Sequence, residues 1–373
     1  MAVAVPEGGA VPIVDCDVHP MIRGLADLAP YLSTPWRQRF ERTGVRMFAR
    51  ARDRYNHPNT AYRLDAVPSR SGPAGSDPRF TIDDHVEPYG ITAALLLPQD
   101  PYGITVWSDA AAAHEFTRAN NDFLIDRWVE FDDRYVLAVT VSPHDARQAA
   151  AEIQRCASIP GVVAVQLLLR DTMLGSTWFD PVYEAATEHG LPIVFHQNGN
   201  EGCYHAAQAP AGGIPRSYGE RHVVLTQIGA ANLADLVISG AFERFPTLRM
   251  VMVEWGFSWL PSLAARLDHM WLRDPDAAPL IRRLPSEYLA EHVTFTTQPL
   301  DEPDTPADLA ALLAVPQVID TLLFSSDYPH YDTDDPQFVL KRIPAESRAK
   351  VCYENALRVF GAPILRSLPA AQR

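Results

Sequence analysis

Residues 13–20 read IVDCDVHP. An apolar run ends in Asp17-Val18-His19, and in an extended chain residues i and i+2 point to the same side. A short strand that delivers a carboxylate and an imidazole to one point is half of a metal site. Seven further runs share the short apolar character. They are 91–98 (ITAALLLP), 135–141 (YVLAVTV), 162–169 (VVAVQLLL), 191–195 (LPIVF), 248–253 (LRMVMV), 293–297 (VTFTT) and 321–325 (TLLFS). With 11–17 they make eight. Strands buried on both faces read as continuous apolar runs, as these do.

The segments between the runs have helical spacing. Residues 110–131 carry apolar and small side chains at that period, and Asp145 suits the N-cap of a helix over 146–156. Stretches 179–188 and 223–239 are followed by Gly190 and Gly240, residues suited to the left-handed position that ends a helix. Strand and helix in alternation specify a parallel sheet. Eight such units predict a single (β/α)8 TIM barrel, an α/β fold in which one domain spans residues 1–373. Two stretches break the pattern, 49–79 and 199–220, both rich in Pro, Gly and Ser. They are expected to be long loop insertions at the C-terminal rim. The second directly follows the fifth strand, where a lid over a barrel site would lie.

Composition narrows the function. At 47% hydrophobic the chain can build a large core, and its net charge of −14, with no basic run, argues against a nucleic-acid partner. No apolar run reaches the roughly 18 residues of a membrane span. The first ten residues lack the basic n-region of a secretory signal. The four cysteines, Cys16, Cys156, Cys203 and Cys352, form no C-x-x-C pair. The expectation is a cytoplasmic protein with a small-molecule substrate, and the sequence leaves a homo-oligomer such as a dimer open.

All strand C-termini of a barrel meet at one rim. Asp17 and His19 end the first strand, His196 follows the fifth, and Ser326-Asp327-Tyr328-Pro329-His330 follows the eighth. A lone aspartate there is an ordinary cap or turn residue, and a lone histidine an ordinary polar one. Their conjunction at the ends of strands one, five and eight argues for one divalent metal held by Asp17, His19, His196 and Asp327. Zinc is the first expectation, with manganese, cobalt or iron compatible with the same donors. His57, His85, His114, His144, His189, His269 and His292 receive no role, while His205 and His222 flank the lid stretch and stay open.

The stretches IVDCDVHP (13–20), LPIVFH (191–196), FERFPTLRMVMVEWGFSWLP (242–261) and LLFSSDYPHYD (322–332) resemble the amidohydrolase superfamily. The similarity is to the branch that contains aminocarboxymuconate-semialdehyde decarboxylase. It runs from the first strand to the last. It implies a barrel, one divalent metal, and an activated water or a polarised substrate, with Asp17, His19, His196 and Asp327 in the ligand positions. Two departures stand out. Asp17 replaces the first His of the His-x-His common in relatives, and Glu254 stands on strand six where the decarboxylases of the branch have a His.

On this reading Asp327 is both ligand and proton carrier, Glu254 shares the acid/base task, and His330 orients substrate or donates a proton. Arg170, after strand four, is the first candidate to hold a substrate carboxylate, Arg216 the second. Trp255, with Phe257 and Trp259, could form an apolar wall, although packing against the helices is the alternative. Because Glu254 and Asp17 add negative charge beside the metal, the expected reaction is hydrolysis of a neutral amide, ester, lactone or C–C bond. The alternatives are non-oxidative decarboxylation of a carboxylated aromatic or semialdehyde, and a barrel that binds a metabolite without turnover.

Overall fold

The computed structural model describes residues 11–43, 61–69, 72–199, 201, 207–315 and 318–368. The eight expected strands are β1 (Val14–Val18), β2 (Ala93–Leu96), β3 (Tyr135–Val141), β4 (Val162–Leu168), β5 (Ile193–His196), β6 (Met250–Val253), β7 (Val293–Thr296) and β8 (Leu322–Leu323). They pair in parallel in sequence order. Three bonds close the ring between β8 and β1: Cys16 N–H to Phe324 O at 2.9 Å, His19 N–H to Tyr328 O at 2.8 Å, and Asp327 N–H to Asp17 O at 3.1 Å. The fold is a (β/α)8 TIM barrel. No described helix is long and apolar enough to cross a membrane.

The helices follow their sequence signals. Asp145 caps Ala146–Cys156 by accepting from the backbone N–H groups of Arg147 and Gln148, which satisfies donors that the first turn leaves open. The helix Asp180–Glu188 ends before Gly190, whose φ is +66°. The long helix Tyr218–Ile238 starts five residues earlier than its apolar pattern suggests, because Ser217 caps the Glu220 N–H.

In β2, β3, β5, β6 and β8, alternate residues enter two separate buried clusters. Ala94, Leu96, Leu137, Val139, Ile193, Phe195, Met250 and Met252 pack toward the helices with Phe116, Ile153, Val182 and Leu236. Ala93, Leu95, Ala138, Val194, Val251 and Leu323 fill the interior with Val359, Phe360 and Ile364 of the C-terminal segment. β1 breaks this rule. Val14 and Cys16 belong to the inner cluster but Val18 to the helix-facing one, and the pairing of β1 with β2 slips between Asp15 and Val18. Such a bulge re-aims side chains. It frees Asp15 to face outward while Asp17 and His19 meet the interior.

Both inserted stretches touch the C-terminal rim where they are described. Arg63 N–H donates to Pro329 O at 3.0 Å, Tyr331 N–H to Ala61 O at 3.1 Å, and Met21 N–H to Gly75 O at 2.7 Å. A β-carbon at Gly75, whose φ is +76°, would collide with the His19 carbonyl, so this segment lies directly on β1. In the second stretch, Glu201 pairs with Arg221 at 2.6 Å and Gln208 donates to Thr172 O at 3.1 Å. Residues 49–60, 70–71, 200 and 202–206, with Cys203 and His205, lie outside the described residues.

Candidate metal centre

Asp17, His19, His196 and Asp327 are fully buried, and one potential ligand atom from each lies within 4.8 Å of the others. His19 Nε2 is 2.7 Å from Asp327 Oδ1 and 3.1 Å from Asp17 Oδ1; His196 Nε2 is 3.6 Å from Asp17 Oδ2. Each imidazole is fixed through its other nitrogen. His19 Nδ1–H donates to Leu97 O at 2.7 Å, and His196 Nδ1–H to Gln197 O. That leaves both Nε2 lone pairs aimed at the carboxylates, the arrangement second-shell carbonyls impose on metal-ligating histidines.

This donor set fits a cation. Burial holds the His19 pKa below its ordinary 6.5 against the pull of Asp17, so its Nε2 faces two carboxylates as a lone pair. Both Asp17 oxygens and His196 Nε2 are buried without a hydrogen bond. Groups of this kind are expensive to bury unpaired. Burial lowers the His196 pKa too, but Asp17 and Glu254 outweigh it and the net shift is upward. The cluster is therefore short of positive charge.

Asp327 and Glu254 both adopt left-handed backbone, with φ of +62° and +68°. Strand alternation puts Val251 and Val253 in the interior and would send Glu254 outward; its backbone conformation turns it back. Non-glycine residues in that region carry ~1–3 kcal/mol of strain and cluster at functional sites. Glu254 Oε2 lies 3.5 Å from His196 Nε2 and accepts from the Gln197 amide, while Oε1 sits 3.1 Å from His222 Nε2. Burial alone would raise the Glu254 pKa, but the hydrogen bond and charge of His222 hold it well below the carboxylate range.

His330 Nδ1 is 2.6 Å from Asp327 Oδ1. The Tyr62 hydroxyl donates to Gln99 Oε1 at 2.9 Å, which turns the Gln99 amide nitrogen toward His330 Nε2, also at 2.9 Å. His330 Nε2 therefore accepts and Nδ1–H donates to Asp327. In this arrangement His330 braces the Asp327 carboxylate. Behind it, Asp15 accepts from Ser326 N–H at 2.9 Å, the Ser326 hydroxyl at 2.6 Å and His85 Nε2 at 2.8 Å. This clamp fixes the residue preceding Asp327, and His85 stacks on Tyr328 with centroids 4.4 Å apart.

No hydrogen bond or ion pair among the described residues joins the expected substrate residues to the four ligands. The Arg216 side chain is 92% exposed and faces Glu220, four residues along the chain. Arg170 lies at the same rim, but its nearest carboxylate is Asp171 at 3.7 Å. Trp255 is buried, stacks on Phe195 at 4.9 Å, donates its indole N–H to Phe195 O, and packs against Gly229 of the long helix. Its role is packing, because the turn that brings Glu254 inward sends the next side chain to the helix layer.

Several residues of the site carried no signal that periodicity could register: Tyr62, Gln99, Gln197, Arg221 and His222. Tyr102, whose ring lies 5.5 Å from His196, is another. His222 and Arg221 lie in the first turns of the long helix; the sequence leaves His222 open as a flank of the lid stretch, and only nearness to the fifth strand could have pointed to Arg221.

A closed parallel barrel with its chemistry-bearing side chains converging at the C-terminal rim defines an enzyme of the TIM-barrel class. The amidohydrolase family model matches residues 14–362, and the chain belongs to that family. Among solved structures it is similar to an amidohydrolase from Mycobacterium avium subsp. paratuberculosis, with 23% identity over 95% of this chain and 99% of that one, at a TM-score of 0.69. It is similar to 5-carboxyvanillate decarboxylase from Sphingomonas paucimobilis, at 21% identity, 94% and 99% coverage and a TM-score of 0.66. The same enzyme from Novosphingobium aromaticivorans, in a structure with bound manganese, matches at 19% identity, 96% and 99% coverage and a TM-score of 0.67.

Proposed function

We propose that the chain is a divalent-metal-dependent carboxy-lyase that removes carbon dioxide from a small carboxylated molecule, an aromatic acid or a semialdehyde. The observation that carries this reading is the state of Glu254. The expectation of hydrolysis rested on Glu254 as a bare charge that repels a carboxylate and acts as an open base. Instead, both its oxygens are engaged, by His222 and by Gln197, and its pKa is held low. A carboxylate so held is a poor general base, and its charge is offset. The similarity to two carboxyvanillate decarboxylases supports the same direction.

A divalent ion at Asp17, His19, His196 and Asp327, zinc or manganese, would supply a Lewis acid for a substrate oxygen. In decarboxylation the carbon–carboxylate bond breaks, its electron pair stays on carbon, and a proton must reach that carbon. Asp327 is the carrier in this proposal. His330 Nδ1–H donates to its Oδ1, and the carboxylate would take a proton from solvent and deliver it to the carbon. Hydrolysis is the second reading, favoured by the same placement of Asp327, since that carboxylate could equally take a proton from water.

The test is product analysis with metal-loaded protein, offered hydroxylated aromatic acids in parallel with neutral amides, esters and lactones. The expected result is carbon dioxide release from an acid, abolished in Asp327→Asn. Turnover of neutral substrates alone would replace the proposal with hydrolysis.

A further inference from the structure

Three carboxylates meet at the centre: Asp17, Asp327 and Glu254. One divalent ion balances two of them. The third, Glu254, faces His222, which the long helix presents one turn beyond its Ser217 cap. Other nearby cations are committed elsewhere. Arg221 is buried against Glu201 at 2.6 Å, Arg216 faces Glu220, and Arg170 faces Asp171. Among the described residues outside the ligand set, His222 is thus the side chain in direct ion-pair contact with Glu254.

We propose that His222 is a specificity-determining residue: as an imidazolium it cancels the charge of Glu254 and makes the site select an anionic, carboxylate-bearing ligand over its neutral analogue. The substrate class rests on the decarboxylase reading, while the role of His222 rests on the geometry. His222 Nε2 lies 3.1 Å from Glu254 Oε1 at the end of β6 and 3.8 Å from Asp332 Oδ2 after β8. From its own helix, Arg221 opposes protonation and the Tyr218 ring lies 6.0 Å away. Tyr331 packs behind Tyr218 at 6.2 Å. Burial works against the imidazolium, but Glu254 and Asp332 outweigh it and raise the pKa above 6.5. The side chain is 18% exposed, so solvent can exchange its proton. With His222 neutral, an incoming carboxylate meets the full charge of Glu254; with His222 protonated that charge is offset.

Calorimetric binding of benzoate and of benzamide to the manganese-loaded protein tests this. The two probes share a shape and differ in charge, and neither needs to react. Wild type should prefer benzoate at pH 6, and the preference should fall as pH rises through the His222 titration. In His222→Gln, which retains a donor toward Glu254, the preference should drop about tenfold, with benzamide binding unchanged. Equal preference in the variant and wild type would overturn the inference. If the variant does not fold, wild type decides: a preference independent of pH from 6 to 9 would overturn it. Failure of carbon dioxide release with the His222-dependent preference intact would overturn the proposed reaction alone.

Discussion

Asp327 Oδ1 receives two imidazole contacts, His330 Nδ1 at 2.6 Å and His19 Nε2 at 2.7 Å, and only the first of these is a proton donor. His330 is locked in that tautomer by Gln99, and Gln99 is locked by Tyr62. The chain Tyr62–Gln99–His330 therefore aims a ligand without touching the centre. His330→Ala should lower metal affinity about 10–100-fold, the usual loss for a second-shell partner. His330→Asn, which can still donate to Asp327, should recover part of it. Competition against a chelating dye reads both. Unchanged affinity in His330→Ala would remove the orienting role.

Asp17 predicts a crossing in stability. Its two oxygens are buried without hydrogen bonds, so in chelator-treated protein they face the His19 and His196 imidazoles with no donor satisfying them. Asp17→Asn should stabilise that form by about 1–3 kcal/mol. In the presence of excess metal the same substitution removes a ligand and should destabilise relative to wild type, because the ion stabilises only the form that binds it. Thermal unfolding of both proteins in both conditions checks the sign change. Destabilisation in both would mean that Asp17 has a protein partner instead.

Much of this was legible in sequence, for a physical reason. Buried parallel strands are continuous apolar runs, and a barrel brings their ends to one rim, so Asp17, His19, His196 and Asp327 could be picked from linear position. Tertiary contacts that no period encodes were invisible. Asp15 turns outward to His85 only because β1 bulges. His222 reaches Glu254 from a helix 32 residues earlier, and that pairing reverses the electrostatic argument made from Glu254 alone. Tyr62 reaches Gln99 from an inserted segment, where no pattern of spacing operates.

Asp334 gives a pH dependence with an unusual sign. Burial, with Asp332 and Glu302 nearby, raises its carboxyl pKa from 3.8 to about 6, despite a bond from Leu300 N–H. The folded protein then binds a proton that the unfolded chain has released. The contribution of Asp334 to stability is fully present below pH 3.8 and is lost as pH rises through 6. Asp334→Asn should remove that slope and stabilise the protein at pH 7 by about 1–3 kcal/mol. Urea unfolding of both proteins at pH 4.5 and pH 7 measures it. A variant gain that is the same at both values would show that Asp334 does not titrate as proposed.

Glu254 separates stability from function through its backbone. Its φ of +68° is strained for any residue with a β-carbon and relaxed for glycine. Glu254→Ala and Glu254→Gly both delete the carboxylate, both leave His222 and Gln197 without their partner, and both should change turnover to the same degree. They differ only in the β-carbon. The folded-state strain should make Glu254→Gly more stable than Glu254→Ala by about 1 kcal/mol, although glycine ordinarily loses to alanine because its unfolded chain is freer. Equilibrium denaturation of the pair isolates this difference, since every other lost contact is shared. The ordinary order, alanine above glycine, would show that the turn at Glu254 relaxes once its side chain no longer holds it. The carboxylate contacts, rather than the barrel backbone, would then be what keeps the left-handed conformation.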